Sequence, residues 1–525
     1  MVPSRLVPGS ASGSDTMNLK IILRNVFSNW TGYLLATVVM FFLTPFIVHR
    51  LGNNTYGVWT LIVSLTGYFG MLDLGIRSTV GRYVARYLGL NEPDNVNRTV
   101  SSAFVILGSS GFLALLGALA MSLMLDKFHV DSQLQPAART ALLLAGINIS
   151  LGLPLGVFGA VLMALERFDI VNSVGVGGWL MRATLIVVLL KLNYGLVALA
   201  AITVSVGFIE YVTMLLVAKR LYRPLKLSWR YVDRGRCREL ASFGAYRFIW
   251  IIANQLIFYT DDLVIGVFLN TGAITYFTIG GSLINYGRNI VSRVTDTLGP
   301  SAAGMDARHD MKGLQKLLIV GTQITLLIAL PLCLGFLFLG RQFITLWMGK
   351  GYAASVAVLM VLTIPQFSSM SQYVSSVILT SMAKHRVLAY LSLANGLLNV
   401  VLSIFLVRKI GLIGVAWGTV IPELICTGLI VPIYTLRMVK LDAREYLRRA
   451  YVRPLLCAIP LVAVGYGFAL WVEASSWLGF GAEVATMCVT FGLMSFFFCL
   501  DSGQRAMGIR KIRGVFHREP VMNEA

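Results

Sequence analysis

Two neighbouring apolar segments, residues 241–268 and 274–297, carry polar and ionisable side chains at helical spacing. These side chains recur at intervals close to seven residues in the first segment and of three and four in the second, so in each helix they share one face. An ionisable group in such a membrane-length segment costs several kcal/mol unless it is paired or hydrated, which makes each one a candidate for function. The residues are Arg247, Asn254, Gln255, Asp261 and Asp262 in the first segment and Asn285, Arg288, Asn289, Ser292, Arg293 and Asp296 in the second.

The arginines of these faces indicate a binding site for phosphate. With a rise of about 1.5 Å per residue, Arg247 and Arg293 lie roughly two turns from the cytoplasmic surface and Arg288 lies deeper, forming a cationic vestibule. A guanidinium group grips phosphate with paired donors, so an anionic lipid diphosphate is a suitable ligand. Alternatively, Arg288 and Arg293 pair with Asp296 or extend to headgroups. The amide side chains complete the predicted substrate-binding set: Asn254, Gln255, Asn285 and Asn289.

Further charges lie in other apolar segments. Arg182 and Glu210 reach similar depth on adjacent helices, which predicts an intramembrane ion pair, either structural or involved in ion coupling. Glu423 follows Pro422 at the depth of Asn399, and a proline there frees a backbone carbonyl and can kink the helix. The set predicted for ion coupling or intramembrane pairing is Asp261, Asp262, Asp296, Arg182, Glu210 and Glu423.

The elements that position these residues are transmembrane helices. Of the 525 residues, 57% are hydrophobic and 13% charged, and the mean hydropathy is +0.75. About fourteen apolar runs of about 22 residues account for most of the hydrophobic fraction, and the loops on the outer side are short. The sequence therefore predicts an all-α polytopic membrane protein of about 14 transmembrane helices.

The net charge of +20 reflects topology rather than nucleic-acid binding. With both termini in the cytoplasm, about 32 Lys and Arg fall inside and about 8 outside, as the positive-inside rule requires. The basic stretches, among them one that begins at Arg77, would touch anionic lipid headgroups, and they lack the interleaved aromatics of a base-stacking surface. Membrane lipids are expected partners and nucleic acid is not.

A weak internal repeat suggests two halves. The turns at 51–59 and 269–277 are related by an offset of about 218 residues, as in transporters with internal symmetry. We expect two pseudo-symmetric six-helix lobes and two C-terminal helices. The predicted units are a disordered leader at 1–19, with Met1 or Met17 as the start, an N-lobe at 20–218, a basic cytoplasmic interlobe loop at 219–240, a C-lobe at 241–440, two helices at 441–500 and a basic cytoplasmic tail at 501–525.

Sequence signals for bound cofactors are missing. No glycine-rich phosphate loop is present, and the five histidines are scattered, so neither a nucleotide, another cofactor nor a metal site is predicted. The six cysteines are interpreted as free thiols. An enzyme is not expected, because the outer loops are too short to carry a catalytic domain.

Several motifs resemble a known family. They are Leu43-Thr44-Pro45 through Arg50-Leu51-Gly52, then Tyr56-Gly57-Val58-Trp59, Leu72-Asp73-Leu74-Gly75-Ile76, Arg82-Tyr83-Val84 and Asp261-Asp262-Leu263-Val264-Ile265-Gly266. These segments resemble the oligosaccharide flippases of the polysaccharide transporter group, often called Wzx-type. Their superfamily also holds multidrug and toxic-compound extrusion antiporters. The resemblance in organisation covers residues 20–500, with sharp motifs over a small part of it.

The resemblance implies a function. A Wzx-type flippase moves undecaprenyl-diphosphate-linked sugar repeat units across the bacterial inner membrane, for O-antigen, capsule or exopolysaccharide assembly, with ion-gradient coupling. It also implies a polysaccharide polymerase and a chain-length regulator as partners. The alternatives are a multidrug antiporter of the same superfamily, a flippase for the peptidoglycan lipid precursor, and a polysaccharide polymerase or ligase.

Overall fold

The computed structural model describes residues 37–471 and 476–499, and for residues 241–250 and 471 it describes the backbone alone. The predicted leader, Met17, the start of the first apolar run and the predicted tail 501–525 lie outside the described residues. The described residues form helices and turns, without a strand among them. The helices are α1 (Thr37–Leu51), α2 (Asn53–Phe69), α3 (Ile76–Gly89), α4 (Pro93–Leu123), α5 (Gln135–Leu155), α6 (Val157–Ala164), α7 (Phe168–Lys191), α8 (Leu196–Leu221), α9 (Arg234–Phe268), α10 (Thr271–Asp296), α11 (Gly299–Ala307), α12 (Met311–Met348), α13 (Ala353–Thr363), α14 (Gln366–Ser381), α15 (His385–Ile410), α16 (Leu412–Val439), α17 (Ala443–Leu470) and α18 (Trp477–Cys499).

Within the described residues, 11 segments are long and apolar enough to cross a membrane, with α2–α3 and α5–α6 each counted as one segment. The number is 12 if α13 and α14, bent by 43° at their junction, form one broken span. The shorter α1 is also apolar, and α10 carries the charged face described above. The prediction of an all-α polytopic membrane protein is confirmed. The count of fourteen spans stays a prediction.

Local sequence explains where the helices begin and break. The α1–α2 turn has Gly52 at φ 78°, a left-handed conformation that glycine adopts without strain. Asn270 caps α10 by accepting a hydrogen bond from the Ala273 amide at 2.8 Å. Leu74 and Gly75 are both left-handed and separate α2 and its 3₁₀ extension from α3. In α16 a π-helical stretch follows directly after Pro422 and Glu423.

The helix ends define two faces of the molecule. The turns at 52, 269–270, 349–352 and 411 lie at one end, here called the short-turn end, and the connections at 222–233 and 440–442 lie at the other, the basic end. We call α1–α8 the first half and α9–α16 the second half. Helices α2, α9 and α10 pack against one another and join the halves, while α17 and α18 pack on α12. The predicted lobe boundaries and their pseudo-symmetry stay predictions.

Candidate functional site

At the short-turn end the two halves are held together by a closely packed, hydrogen-bonded seam. The backbones of α2 and α10 approach so closely at Gly57 that the Thr271 carbonyl oxygen occupies the space of a Cβ. Thr275 Oγ1 donates to the Asn53 carbonyl oxygen at 2.7 Å, and Tyr352 Oη donates to Asn53 Oδ1 at 3.0 Å. The molecule is therefore closed at this end.

Toward the basic end the same face of α10 becomes exposed. Thr275 is buried against the first half, but Asn289 and Asp296, two and three heptads further along that face, are exposed. Asn285 and Arg293, on the same side of the helix, are exposed as well. The face of α10 that contacts α2 at one end is therefore uncovered at the other, where these polar side chains lie.

The predicted residue Asp261 lies in a buried cluster of hydroxyl groups inside the second half. Its side chain is 6% exposed. Thr419 Oγ1 donates to Asp261 Oδ2 at 2.7 Å, and Ser403 Oγ donates to Oδ1 at 3.3 Å. Both hydroxyls also lie within 3.4 Å of the Val415 carbonyl oxygen. In the part of the chain that the structure describes, no basic side chain forms a salt bridge with Asp261.

Asn399 completes this cluster and has an unused acceptor. Its Nδ2 donates to Thr419 Oγ1 at 2.9 Å, while its Oδ1 is buried without a hydrogen-bond partner. A buried polar oxygen without a partner costs about 1–3 kcal/mol, so the site is stabilised by any ligand that this oxygen can bind. Carboxylate, hydroxyl and carbonyl oxygens around one small space are the ligands of a hard cation.

The neighbouring residues of α9 face the other half. Ser64 Oγ donates to Asp262 Oδ2 at 2.6 Å, and Gln255 Nε2 donates to the Gly67 carbonyl oxygen at 2.9 Å. These residues therefore tie α9 to α2. Asn254 is half-buried. The side chain of Arg247 lies outside the described residues.

Arg288 and Glu423 form a buried ion pair that joins α10 to α16. Arg288 Nη2 contacts both carboxylate oxygens of Glu423, at 2.7 and 2.6 Å, and Arg288 Nε donates to Gln366 Oε1 at 2.9 Å. The side chains of Arg288 and Glu423 are 18% and 11% exposed. The sequence offers Asp296 as a partner for Arg288, but the structure places Glu423 there. Asp296 lies eight residues further along α10, a rise of about 12 Å that is too long for a direct contact.

Arg182 and Glu210 lie together in the first half, on α7 and α8. Arg182 Nη2 is 3.5 Å from Glu210 Oε2, and each side chain is 19% exposed. The Arg182 guanidinium carbon also lies 5.3 Å from the centre of the Trp179 ring, a favourable cation–π distance. The glycine at position 178 makes room for the Glu210 carboxylate, because a Cβ there would overlap it.

Sequence analysis missed a cavity beside Arg77. Arg77 Nε lies 2.8 Å from Asp73 Oδ1, across the left-handed break before α3. Arg77, Tyr211, Gln255 and Tyr259 line a cavity of about 280 Å³ at the junction of the halves. The sequence predicts that Arg77 lies on the membrane surface, and the structure places it at this cavity. The signal that could have revealed this is Leu74-Gly75, in the motif Leu72-Asp73-Leu74-Gly75-Ile76, because the helix breaks there.

Comparison with known proteins assigns the chain to a family. The polysaccharide biosynthesis protein family matches residues 50–357, more than half of the chain. The chain belongs to this family. It is 22% identical to the uncharacterized membrane protein EpsK of Bacillus subtilis (strain 168), over 93% of this chain and 97% of that protein. It is 23% identical to a putative O-antigen transporter of Shigella flexneri, over 75% of this chain and 93% of that protein. The family resemblance is thereby confirmed.

Solved structures share the fold at low identity. The lipid II flippase MurJ, in an inward closed conformation, superposes with a TM-score of 0.70 at 14% identity and covers 94% of this chain and 100% of its own. An inward-facing multidrug resistance MATE family transporter of the MOP superfamily superposes with a TM-score of 0.68 at 13% identity, covering 78% and 94%. These similarities confirm the predicted fold class.

Proposed function

We propose that this protein is a flippase that carries undecaprenyl-diphosphate-linked oligosaccharide repeat units from the cytoplasmic to the outer leaflet of the bacterial inner membrane. The basic end lies in the cytoplasm and the distribution of Lys and Arg along the sequence indicates cytoplasmic termini. The translocated units serve O-antigen, capsule or exopolysaccharide assembly, through a polysaccharide polymerase and a chain-length regulator. The protein breaks no bond and needs no cofactor.

The observation that carries this proposal is the face of α10 that is sealed at one end and polar and exposed at the other. A sugar headgroup cannot cross hydrocarbon unaided, and a hydrated cleft lined by Asn285, Asn289 and Arg293 replaces its lost hydration. The similarity to a putative O-antigen transporter of Shigella flexneri supports transport of an O-antigen unit. Alternating exposure of the cleft, with the seam opening as the basic end closes, moves the headgroup while the polyprenyl tail stays in lipid.

The proposal is tested in proteoliposomes with a membrane-impermeant sugar-modifying probe. We expect translocation of an undecaprenyl-diphosphate oligosaccharide by the intact protein and its loss when Asn285→Leu and Asn289→Leu are combined. The exchange Ile290→Leu, at an exposed apolar position of the same helix, is the matched control and keeps transport. If the protein transports lipid II alone, the proposed substrate is wrong and the true one is a peptidoglycan precursor. Efflux of cationic drugs without lipid transport would overturn the flippase proposal.

We further propose that translocation is coupled to a monovalent cation bound at Asp261. The cluster supplies one negative charge, two hydroxyls and the Val415 carbonyl oxygen. Rotation of the Asn399 amide by half a turn would bring its unused oxygen to the same space. A single carboxylate balances one positive charge, which favours Na⁺ over Ca²⁺ or Mg²⁺, whose sites collect more carboxylates.

Replacement of one hydroxyl tests the cation. Thr419→Val removes an oxygen that touches Asp261, and we expect at least about a tenfold rise in the Na⁺ concentration for half-maximal transport, the loss of about 1.4 kcal/mol. Thr363→Val is the matched control, because that buried hydroxyl donates only to the Leu359 carbonyl oxygen of its own helix. Transport driven equally well by a proton gradient without Na⁺ would instead assign the site to a proton on Asp261.

A further inference from the structure

The linker between α8 and α9, residues 222–233, is fixed along the basic end of α4. Asn97 Oδ1 accepts from the Lys226 amide at 2.9 Å, and Asn97 Nδ2 donates to the Pro224 carbonyl oxygen at 3.0 Å. Further along, Ser102 Oγ accepts from the Asp233 amide at 3.1 Å. Asn97 and Ser102 are buried, so the linker is held on the first half along most of its length.

An apolar groove lies between this linker and α4. It has a volume of about 660 Å³ and is lined by Phe104, Gly108 and Phe112 of α4 and by Leu227 and Trp229 of the linker. Trp229 is 80% exposed at the start of a short 3₁₀ helix whose first turn is capped by Ser228. The volume is in the range of small-molecule sites. A Cβ on Gly108 would meet no atom within 4 Å, so the groove continues along the helix surface.

Three exposed cations adjoin the lining residues of this groove in the sequence, on the side of the basic end. Arg98 is exposed and lies seven residues before Val105, on the face of α4 that lines the groove. Lys226 and Arg230, which flank the lining residues of the linker, are exposed as well. An exposed tryptophan beside Lys and Arg at the end of a membrane helix is typical of a segment that lies in the headgroup layer. The site therefore pairs an apolar trough with positive charge at one end.

We propose that this groove binds an anionic phospholipid of the leaflet at the basic end. One acyl chain lies against Phe104, Gly108 and Phe112, and the phosphate lies near Arg98, Lys226 and Arg230. The charge of the surrounding residues selects the headgroup, and the apolar lining holds the chain. A bound lipid fixes the linker to the first half at the membrane surface. When the halves move relative to each other, the backbone that follows Asp233 must therefore change conformation. This site is separate from the cleft of the proposed transport cycle.

The test uses fluorescence of Trp229 in liposomes of zwitterionic lipid that contain a small fraction of brominated lipid. The signal is the difference between the full-length protein and its Trp229→Phe variant, which removes the contribution of the other tryptophans. We expect brominated phosphatidylglycerol to quench this signal at least about fivefold more effectively than brominated phosphatidylcholine at the same mole fraction. Combined neutralisation by Arg98→Gln, Lys226→Gln and Arg230→Gln removes that preference.

A second variant tests the groove itself. Gly108→Leu places an apolar side chain in the trough, and its Cβ meets no atom within 4 Å. It is expected to reduce quenching by both lipids at least about threefold, since a filled trough excludes the chain. Gly492→Leu is the matched control, a helical glycine of α18 that is exposed and equally open, and it leaves quenching unchanged. Equal quenching by the two lipids, or undiminished quenching in Gly108→Leu, overturns the proposal. Displacement of the phosphatidylglycerol by tenfold less undecaprenyl diphosphate overturns it too, because the groove would then belong to the transported lipid.

Discussion

Asp261 and the Arg288–Glu423 pair are two buried charged sites of the second half, and they differ in what completes them. The guanidinium of Arg288 is matched by both oxygens of Glu423 and by Gln366. Asp261 accepts hydrogen bonds from two hydroxyls and forms no salt bridge within the described residues, and the Asn399 oxygen beside it has no hydrogen-bond partner. A buried ion pair with satisfied donors is a self-contained structural unit, whereas a buried carboxylate without a counter-charge calls for a cation or a proton. The Arg288–Glu423 arrangement is typical of a site that holds helices together, and the Asp261 arrangement is typical of a site that binds a ligand.

The comparison is tested most strongly by Asp261→Asn. The variant keeps the size of the side chain and removes the charge that a bound cation needs, and attraction between charges at contact distance is about 4 kcal/mol at an effective dielectric constant near 20. We expect oligosaccharide translocation to fall by about 100-fold or more, with a Tm equal to or above that of the unchanged protein. Na⁺-dependent transport at an unaltered rate would show that Asp261 is merely structural.

The opposite result is expected at the ion pair. Glu423→Gln leaves the Arg288 guanidinium buried without its counter-charge, which destabilises a protein by about 3–5 kcal/mol. Joint replacement by Arg288→Met and Glu423→Leu removes both charges and is expected to restore most of that stability, as measured by thermal unfolding in detergent.

The surface pair Arg449–Glu445, with side chains 60% and 43% exposed, supplies the control, and Glu445→Gln leaves the Tm nearly unchanged. If the double variant unfolds as early as Glu423→Gln, the pair has a role beyond holding α10 to α16. Transport by a stable double variant separates the structural role from a direct role of Arg288 in binding phosphate.

Gly57→Ala tests whether the close contact of α2 and α10 keeps the seam closed to the outer side. A Cβ at this position overlaps the Thr271 carbonyl oxygen, so α2 and α10 must move apart, at a cost of about 1–3 kcal/mol. We expect faster labelling of a cysteine introduced at Tyr276 by an impermeant thiol reagent from the outer side. Gly108→Ala, in open space on α4, is the control, and equal labelling in both variants would mean that the seam stays closed.

Sequence reasoning reached the class of fold because membrane helices are defined by long apolar runs, and the same reasoning located ionisable residues within them. It named Arg182 and Glu210 as a pair, but it did not assign the partner of Arg288. Spacing along α10 places Arg288 and Asp296 on one helix, whereas the contact of Arg288 with Glu423 joins two helices 135 residues apart and depends on how α10 and α16 pack. Ser403 and Thr419 carry no signal in an apolar sequence, since hydroxyls in membrane helices usually bond to their own backbone.

The pair Arg182–Glu210 is an intermediate case and is expected to show the smallest effect. Arg182 Nη2 and Glu210 Oε2 are 3.5 Å apart, and each side chain is 19% exposed. The contact is therefore looser than that of Arg288 with Glu423, but the carboxylate has a salt-bridge partner, which Asp261 lacks. If it is structural, either Arg182→Glu or Glu210→Arg lowers transport and Tm, and the exchanged double variant recovers most of both. The expected coupling energy is about 1 kcal/mol, measured by a double-mutant cycle on Tm and on translocation rate. Recovery of Tm without recovery of transport would place this pair with Asp261, because the positions of the two charges, and not merely their attraction, would then matter to the transport cycle.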